Sequence, residues 1–258
     1  MELGLAGRVV LVTGASRGIG RAVALGFAAE RGRLVVCARG EAQLERVAAE
    51  LAAAGADAVR SLAVDVTSPG AAAELVAAGA ELGGLDVLVS NAGGNRKKLF
   101  SETTDDDWRE LLELNLVSGL RLARAALPQL EARRRGCVLF ISSIWGRETG
   151  GPGYSLYNAS KSALISAARV LARDLAGEGV RVNSIAPGSI LAPGGSWEAR
   201  MRQDPEGIAE FVRRELPLGR FGTPEEVAAL AVFLASDRAS LITGACITAD
   251  GAQSYSLI

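Results

Sequence analysis

Tyr157-Asn158-Ala159-Ser160-Lys161 sets a phenol and an ammonium four residues apart. On a helix, positions i and i+4 share one face, so the two groups would lie side by side. An ordinary tyrosine, with a pKa of about 10, is a good proton donor and is seldom ionised near neutrality. A neighbouring cation would stabilise the phenolate, lower that pKa and allow proton exchange with a carbonyl oxygen. Tyr154, the nearest rival, meets Asn158 rather than a lysine four residues on. A second stretch, VVLVTGASRGIGRAV from Val9 to Val23, fits two chemistries. As G-x-S-x-G it is a nucleophile elbow with Ser16 as an acyl-transfer nucleophile. As Gly14, Gly18 and Gly20 between a strand and a helix, it is a cradle for a cofactor pyrophosphate. Composition decides. The chain contains no histidine, so no imidazole can take the serine proton. The same absence removes H-E-x-x-H zinc sites and histidine general bases.

The end of the second strand candidate bears on the choice of cofactor. An acid there holds the ribose 2′-hydroxyl in NAD sites. This chain has Cys37-Ala38-Arg39 instead, with Arg17 inside the glycine turn. Two guanidinium groups near one ribose suit a 2′-phosphate, since charge-assisted bonds to phosphate are strong. The expectation is NADP(H) in preference to NAD(H).

These residues need a scaffold. Strand candidates Val9–Thr13, Leu34–Ala38, Ala58–Val64, Val87–Ser90, Val138–Ser142, Val180–Ile185 and Ala245–Thr248 alternate with Ala- and Leu-rich helical segments. The helical candidates are Ile19–Arg31, Glu41–Ala54, Ala71–Leu82, Asp105–Arg134, Leu156–Ala176 and Pro224–Leu234. Such alternation predicts an α/β fold: one Rossmann-type, doubly wound parallel sheet of about seven strands with helices on both faces. No composition shift divides residues 1–258, which read as a single domain. Residues 187–217 break the rhythm with PGS, APGGS and DPEG, and hold a polar amphipathic stretch from Trp197 to Glu215. A long irregular insertion there, beyond the carboxyl end of the sixth strand, predicts a substrate loop or lid at about 188–217.

A 49% hydrophobic, 22% charged chain with net charge −1 carries no global attraction for nucleic acid or an anionic membrane. Of 28 basic residues only Lys97, Lys98 and Lys161 are lysines. Cys37, Cys137 and Cys246 are far apart in apolar runs, which favours buried free thiols over a disulfide or metal site. No signal segment or run of 18 or so apolar residues is present, so the expected setting is soluble and cytoplasmic.

Assembled, the motifs resemble the short-chain dehydrogenase/reductase family in its compact single-domain form. They are T-G-x-x-x-G-I-G at Thr13–Gly20, Asp65-Val66, Asn91-Ala92-Gly93, Asn115, Ser143, Tyr157-x-x-x-Lys161 and Pro187-Gly188. The resemblance implies that Tyr157 is the general acid in reduction, that Lys161 binds ribose and tunes the phenol, and that Ser143 holds the substrate carbonyl. Ser142 is the alternative to Ser143, which fits the family's S-x-x-G better. Asn115 would anchor a water that relays protons. The turn from Gly14 through Ser16, Arg17, Gly18 and Ile19 to Gly20 would cradle the pyrophosphate. Asp65 and Val66 would bracket the adenine, and Asn91, Ala92, Gly93, Pro187, Gly188 and Ile190 would line the ribose and nicotinamide. Two departures stand out: Ala192 occupies a position where threonine is frequent, and Asp250-Gly251-Ala252 replaces a frequent D-G-G.

The pattern is most similar to 3-oxoacyl-carrier-protein reductases, which implies a small-molecule or acyl-thioester substrate. Arg133-Arg134-Arg135 matches one carrier-docking position, while Glu178 lies where a second basic residue is expected. Arg96-Lys97-Lys98 is a candidate for facing an acidic or phosphorylated substrate. A sugar or polyol dehydrogenase would differ mainly in the walls at Trp145–Tyr154 and Gly194–Phe211. A non-catalytic cofactor sensor would have lost Tyr157, Lys161 or Ser143, and all are retained. The resemblance also implies a homo-oligomer, a dimer or homotetramer, paired through the apolar face of Leu111–Leu130.

Overall fold

The computed structural model describes residues 2–257. Its strands are short, and those at the centre of the sheet are apolar and buried on both faces: β1 (Val9–Thr13), β2 (Arg33–Ala38), β3 (Ala58–Ala63), β4 (Val87–Ser90), β5 (Cys137–Ile141), β6 (Arg181–Pro187) and β7 (Cys246–Ala249). Among the described residues they make one seven-stranded sheet in the order β3-β2-β1-β4-β5-β6-β7, every neighbouring pair parallel. Strand order reverses between β1 and β4, which opens a crevice at their carboxyl ends.

Successive side chains of a strand feed opposite faces. Val10 and Val12 join one core with Phe27, Val36, Leu139 and Leu234. Val9 and Leu11 join the other with Val35, Leu88, Leu122 and Phe140. The covering helices are α1 (Gly18–Ala29), α2 (Glu41–Ala53), α3 (Ala71–Glu81), α4 (Asp105–Leu112), α5 (Ser118–Ala132), α6 (Ser155–Leu175), α7 (Ser196–Gln203), α8 (Pro205–Glu215) and α9 (Pro224–Ala235).

Two expectations change. The single helix expected over 105–134 is interrupted by a π-helical turn, Glu113–Val117, which carries Asn115. The segment expected to be irregular, 188–217, contains α7 and α8, started by Asp204 accepting from the Gly207 backbone at 2.9 Å with Pro205 at the first helical position. It also has its own apolar cluster of Ile208, Leu216 and Phe221, packed with Trp197 and Phe211. Elsewhere the element ends differ from expectation by one to a few residues, where helices and strands fray.

Candidate active site

The glycine turn is fastened across the switch point. Thr13, the last residue of β1, accepts hydrogen bonds at its hydroxyl from the backbone of Asn91 (2.9 Å) and Ala92 (3.0 Å). The Asn91 amide donates to the carbonyls of Thr13 (2.9 Å) and Gly14 (3.2 Å). Gly14 and Gly18 have φ of +66° and +55°, the left-handed region open to glycine. A Cβ on Gly20 would lie 2.3 Å from the Gly14 carbonyl oxygen, so Gly20 lets α1 start against the turn.

Above the turn lies a cleft of about 660 Å³. It runs from Arg39 and Asp65 past Gly14 and Asn91 to Ile190. Ser16, Arg17, Gly18, Ile19, Val66, Ala92 and Gly93 also face it; Gly20, Asn115, Lys161 and Pro187 do not. Asp65 has two jobs. It caps the following turn, accepting from the Thr67 backbone (3.0 Å) and hydroxyl (2.7 Å), and those bonds, with a smaller contribution from Arg39, hold its carboxyl below the ordinary range. Arg39 is exposed at the rim. Arg17 donates to the carbonyl of Gly194 at 2.7 Å, reaching to the base of the segment that carries α7. The residue types, the glycine-cleared turn and the cleft length fit a dinucleotide.

Tyr157 sits in the first turn of α6 with Ser143 beside it, just past β5. Both side chains line the same chamber. The Ser143 hydroxyl also accepts from the Trp145 backbone at 3.2 Å. Ser142, the alternative, is turned elsewhere: its hydroxyl donates to the Lys161 carbonyl at 3.0 Å. Lys161 is buried, its Nζ 5.8 Å from the centre of the Tyr157 ring and donating to the Ile141 carbonyl at 2.8 Å. Burial lowers its pKa to about 8. The expected lowering of the tyrosine pKa is overturned. Burial dominates, pushing the Tyr157 phenol above its ordinary value, and the Ser143 side chain opposes this only in part. A phenol so placed holds its proton at neutral pH and can give it to an oxygen at Ser143.

Asn115 is buried by the π-helical turn and bound on both sides. Its oxygen accepts from the Gly94 backbone (2.8 Å), and its amide donates to the Gly94 carbonyl (3.0 Å) and the Ser160 hydroxyl (3.0 Å). Ser160 in turn donates to the Tyr157 carbonyl at 2.8 Å. Asn115 thus joins the loop after β4 to the helix bearing Tyr157. A widened helical turn of this kind often marks a functional residue.

Ser143 and Tyr157 open onto a second chamber of about 190 Å³, walled by Trp145, Tyr154, Trp197 and Gly188. Four residues important here were not singled out from the sequence. Thr13 ties the switch point. Asn158 pins the Trp145 loop, donating to the carbonyls of Trp145 (2.7 Å) and Glu148 (2.8 Å). Gln253 clasps Ser189 by two hydrogen bonds, at 2.7 and 3.0 Å, and Arg200 reaches in from α7. Thr13 and Asn158 stand inside recognised motifs, although the sequence assigned them no role. Nothing in the sequence brings Gln253 or Arg200 near residue 157.

Comparison with known proteins agrees with this geometry. A family model described as Enoyl-(Acyl carrier protein) reductase matches residues 14–252. The 3-oxoacyl-[acyl-carrier-protein] reductase FabG of Salmonella typhimurium is 36% identical over 247 residues, 95% of this chain and 96% of that protein. Its counterpart from Thermotoga maritima is 36% identical over 248 residues, 96% and 98% of the two chains. The chain belongs to the short-chain dehydrogenase/reductase family. The solved structure of L-sorbose reductase from Gluconobacter frateurii, complexed with NADPH and L-sorbose, superposes with a TM-score of 0.94 at 33% identity over all of both chains. A 3-oxoacyl (acyl-carrier-protein) reductase from Agrobacterium tumefaciens C58 with NADP bound gives 0.90 at 35% identity, covering 98% and 95%. This short-chain dehydrogenase/reductase is therefore an oxidoreductase acting between ketone and alcohol, and among its described residues no helix is long and apolar enough to cross a membrane.

Three of the surface segments named from the sequence are partly engaged within the chain. Arg133 is occupied within the chain, donating to the carbonyls of Gly83 and Gly84, and with Arg134 and Arg135 it precedes β5, at the sheet end opposite the active site. In the basic run after β4, Arg96 and Lys98 are paired with Asp107, and Arg96 also with Glu110. These pairings, Lys98 first, hold the Asp107 carboxyl far below the ordinary range. Only Lys97 of the three lacks a carboxylate partner among the described residues, and it lies over the Tyr154 ring. Finally, Leu111, Leu122, Ala126 and Leu130 are buried, and the last three belong to the chain's own sheet core.

Proposed function

We propose that this enzyme uses NADP(H) to interconvert the ketone of a 3-oxoacyl compound and the corresponding secondary alcohol. The observation that carries the reading is the meeting of two spaces at one proton donor. Tyr157 and Ser143 line the small chamber, and the dinucleotide-sized cleft ends beside it at Ile190 and Ala192. Arg17 and Arg39, with no acid at the end of β2, support a 2′-phosphate on the cofactor. The nicotinamide supplies or accepts the hydride when bound. The chain's own residues do the rest: Ser143 holds the carbonyl oxygen, Tyr157 gives it a proton, and Lys161 and Asn115 fix the helix and loop that aim them. Helix α7 supplies Ser196, Trp197 and Arg200 to one wall of the chamber, and segment 188–217 closes over it as a lid. The assembly proposed is a homodimer or homotetramer, which light scattering reads directly.

The test is steady-state oxidation of NADPH and NADH in parallel with acetoacetyl-CoA. Faster turnover with NADPH supports both parts. Turnover with NADH alone refutes the cofactor assignment. Cofactor binding without turnover discards the 3-oxoacyl substrate and favours a sugar, the class bound in the L-sorbose reductase complex.

A further inference from the structure

The small chamber carries one charged group at its wall beyond the catalytic pair, and its sign is positive. Arg200 enters from the last turn of α7. Its guanidinium donates to the Tyr154 hydroxyl at 3.0 Å and lies 4.9 Å from the centre of the Trp197 ring. A guanidinium stacked on one aromatic and bonded to another is held in place before any ligand arrives. Lys97 lies over the Tyr154 ring, 5.5 Å from its centre. Trp145 closes on Tyr154 with ring centres 4.5 Å apart.

No carboxylate lines the chamber. The acids of the adjoining segments are committed elsewhere. Glu148 accepts from the Ser254 hydroxyl (3.0 Å) and the Tyr255 backbone (2.9 Å). Glu198 accepts from the Gly194 backbone (2.7 Å) and pairs with Arg202 (2.8 Å). Two cations thus flank one buried tyrosine, with no counter-charge among the described lining residues. A site built this way is complementary to an anion carried by the substrate.

We propose that Arg200, assisted by Lys97, receives a carboxylate on the substrate, so that the enzyme selects a free short-chain oxo acid. The proposal rests on the reductase reading above and adds the charge and size of what is reduced. Size argues for a carboxylate close to the ketone. At about 190 Å³ the chamber lies below the roughly 300–1,000 Å³ of drug-sized pockets, yet Ser143, Tyr157 and Arg200 all face it. A distal phosphate on a long pantetheine arm could not share it with the reacting carbonyl.

The experiment compares acetoacetate, its neutral methyl ester and acetoacetyl-CoA with NADPH, in wild type, Arg200→Gln, Arg200→Lys and Lys97→Gln. The expected result is an acid-to-ester ratio of kcat/KM well above one. Arg200→Gln should lower that ratio about 10- to 100-fold, the range for losing one charge-assisted contact. Arg200→Lys should restore most of it, and Lys97→Gln should lower it less. A wild-type ratio at or below one, or one that Arg200→Gln leaves unchanged, overturns the anion site while the reductase reading stands. Strong turnover of acetoacetyl-CoA with poor use of acetoacetate overturns the carboxylate and moves the charge to the distal phosphates. If none of the three is reduced, the 3-oxoacyl reading fails, and the anion site is judged by tryptophan fluorescence with acetoacetate and NADP⁺. Saturable quenching by acetoacetate, absent with the methyl ester and in Arg200→Gln, upholds the site. Its absence in wild type ends it.

Discussion

Replacing Lys161 with methionine should make this protein more stable and inactive at once. The buried ammonium has its pKa lowered from 10.5 to about 8 by the loss of solvation. At pH 7 folded and unfolded chains both carry that proton, so the folded chain bears the whole penalty, about 3 kcal/mol. Methionine removes the penalty and keeps an unbranched apolar stem. It also forfeits the hydrogen bond to the Ile141 carbonyl, worth about 1 kcal/mol. The net expectation is a gain of about 2 kcal/mol, or about 4–8 °C in Tm for a chain of this size. The pH dependence supplies the sharper test. Because the folded pKa is the lower one, the folded chain sheds its proton first, and wild-type stability from this group rises between about pH 8 and 10.5. At pH 9.5 the penalty has fallen by about 2 kcal/mol and the advantage of the variant nearly vanishes. Urea denaturation at fixed protein concentration, at pH 7 and 9.5, reads both quantities. A variant less stable than wild type at pH 7, or an advantage that does not shrink with pH, would refute the placement of a charged lysine at this site.

Tyr157→Phe should bind NADPH normally by fluorescence titration and lose about 10²- to 10⁴-fold in kcat, the usual cost of removing a general acid; near-normal turnover would exclude Tyr157 as proton donor. Arg39→Asp should shift the NADPH-to-NADH ratio of kcat/KM by about 10- to 100-fold toward NADH, and parallel assays yielding an unchanged ratio would free the 2′-phosphate of this residue. Gly20→Ala puts a methyl 2.3 Å from the Gly14 carbonyl oxygen, so calorimetry should show dinucleotide affinity falling together with about 1–3 kcal/mol of stability. Asn158→Ala frees the Trp145 loop from two carbonyl clasps and should raise KM for the ketone more than it changes cofactor affinity.

The sequence disclosed the strands because those at the centre of the sheet are short apolar runs buried on both faces, and such runs are hard to place anywhere but a parallel sheet. The glycine turn and the Tyr157–Lys161 pair were legible for a related reason: both are local, fixed by spacing within one turn of chain. What escaped was nonlocal or nearly isoenergetic. The π-helical turn at Asn115 widens a helix by one residue, a change that leaves the apolar periodicity of 105–134 almost intact. The helices α7 and α8 were hidden by a glycine- and proline-rich entry and by a polar, charged surface, although Asp204-Pro205 was a sound helix start. The direction of the Tyr157 shift was lost because spacing shows which charge is near and not how dry the place is. Gln253 and Arg200 reach the chamber only through tertiary folding.

The active site is also where this chain departs most from what stability alone would select. Lys161 is a buried charge whose amine meets a carbonyl rather than a carboxylate. Asn115 stands in a distorted helix, and Gly14 and Gly18 hold left-handed backbone in the turn that α1 grows from. The buried charge and the distorted helix cost free energy, and all these features are surrounded by contacts that hold them: Thr13 with Asn91, Asn115 with Gly94 and Ser160, Ser142 with the Lys161 carbonyl. These clasps belong to neighbouring elements of the same sheet end, so relieving one strained group requires moving several strands' worth of packed core. The sheet therefore does more than display the residues. It supplies the rigidity that keeps a reluctant proton donor and a desolvated ammonium beside one carbonyl-sized space.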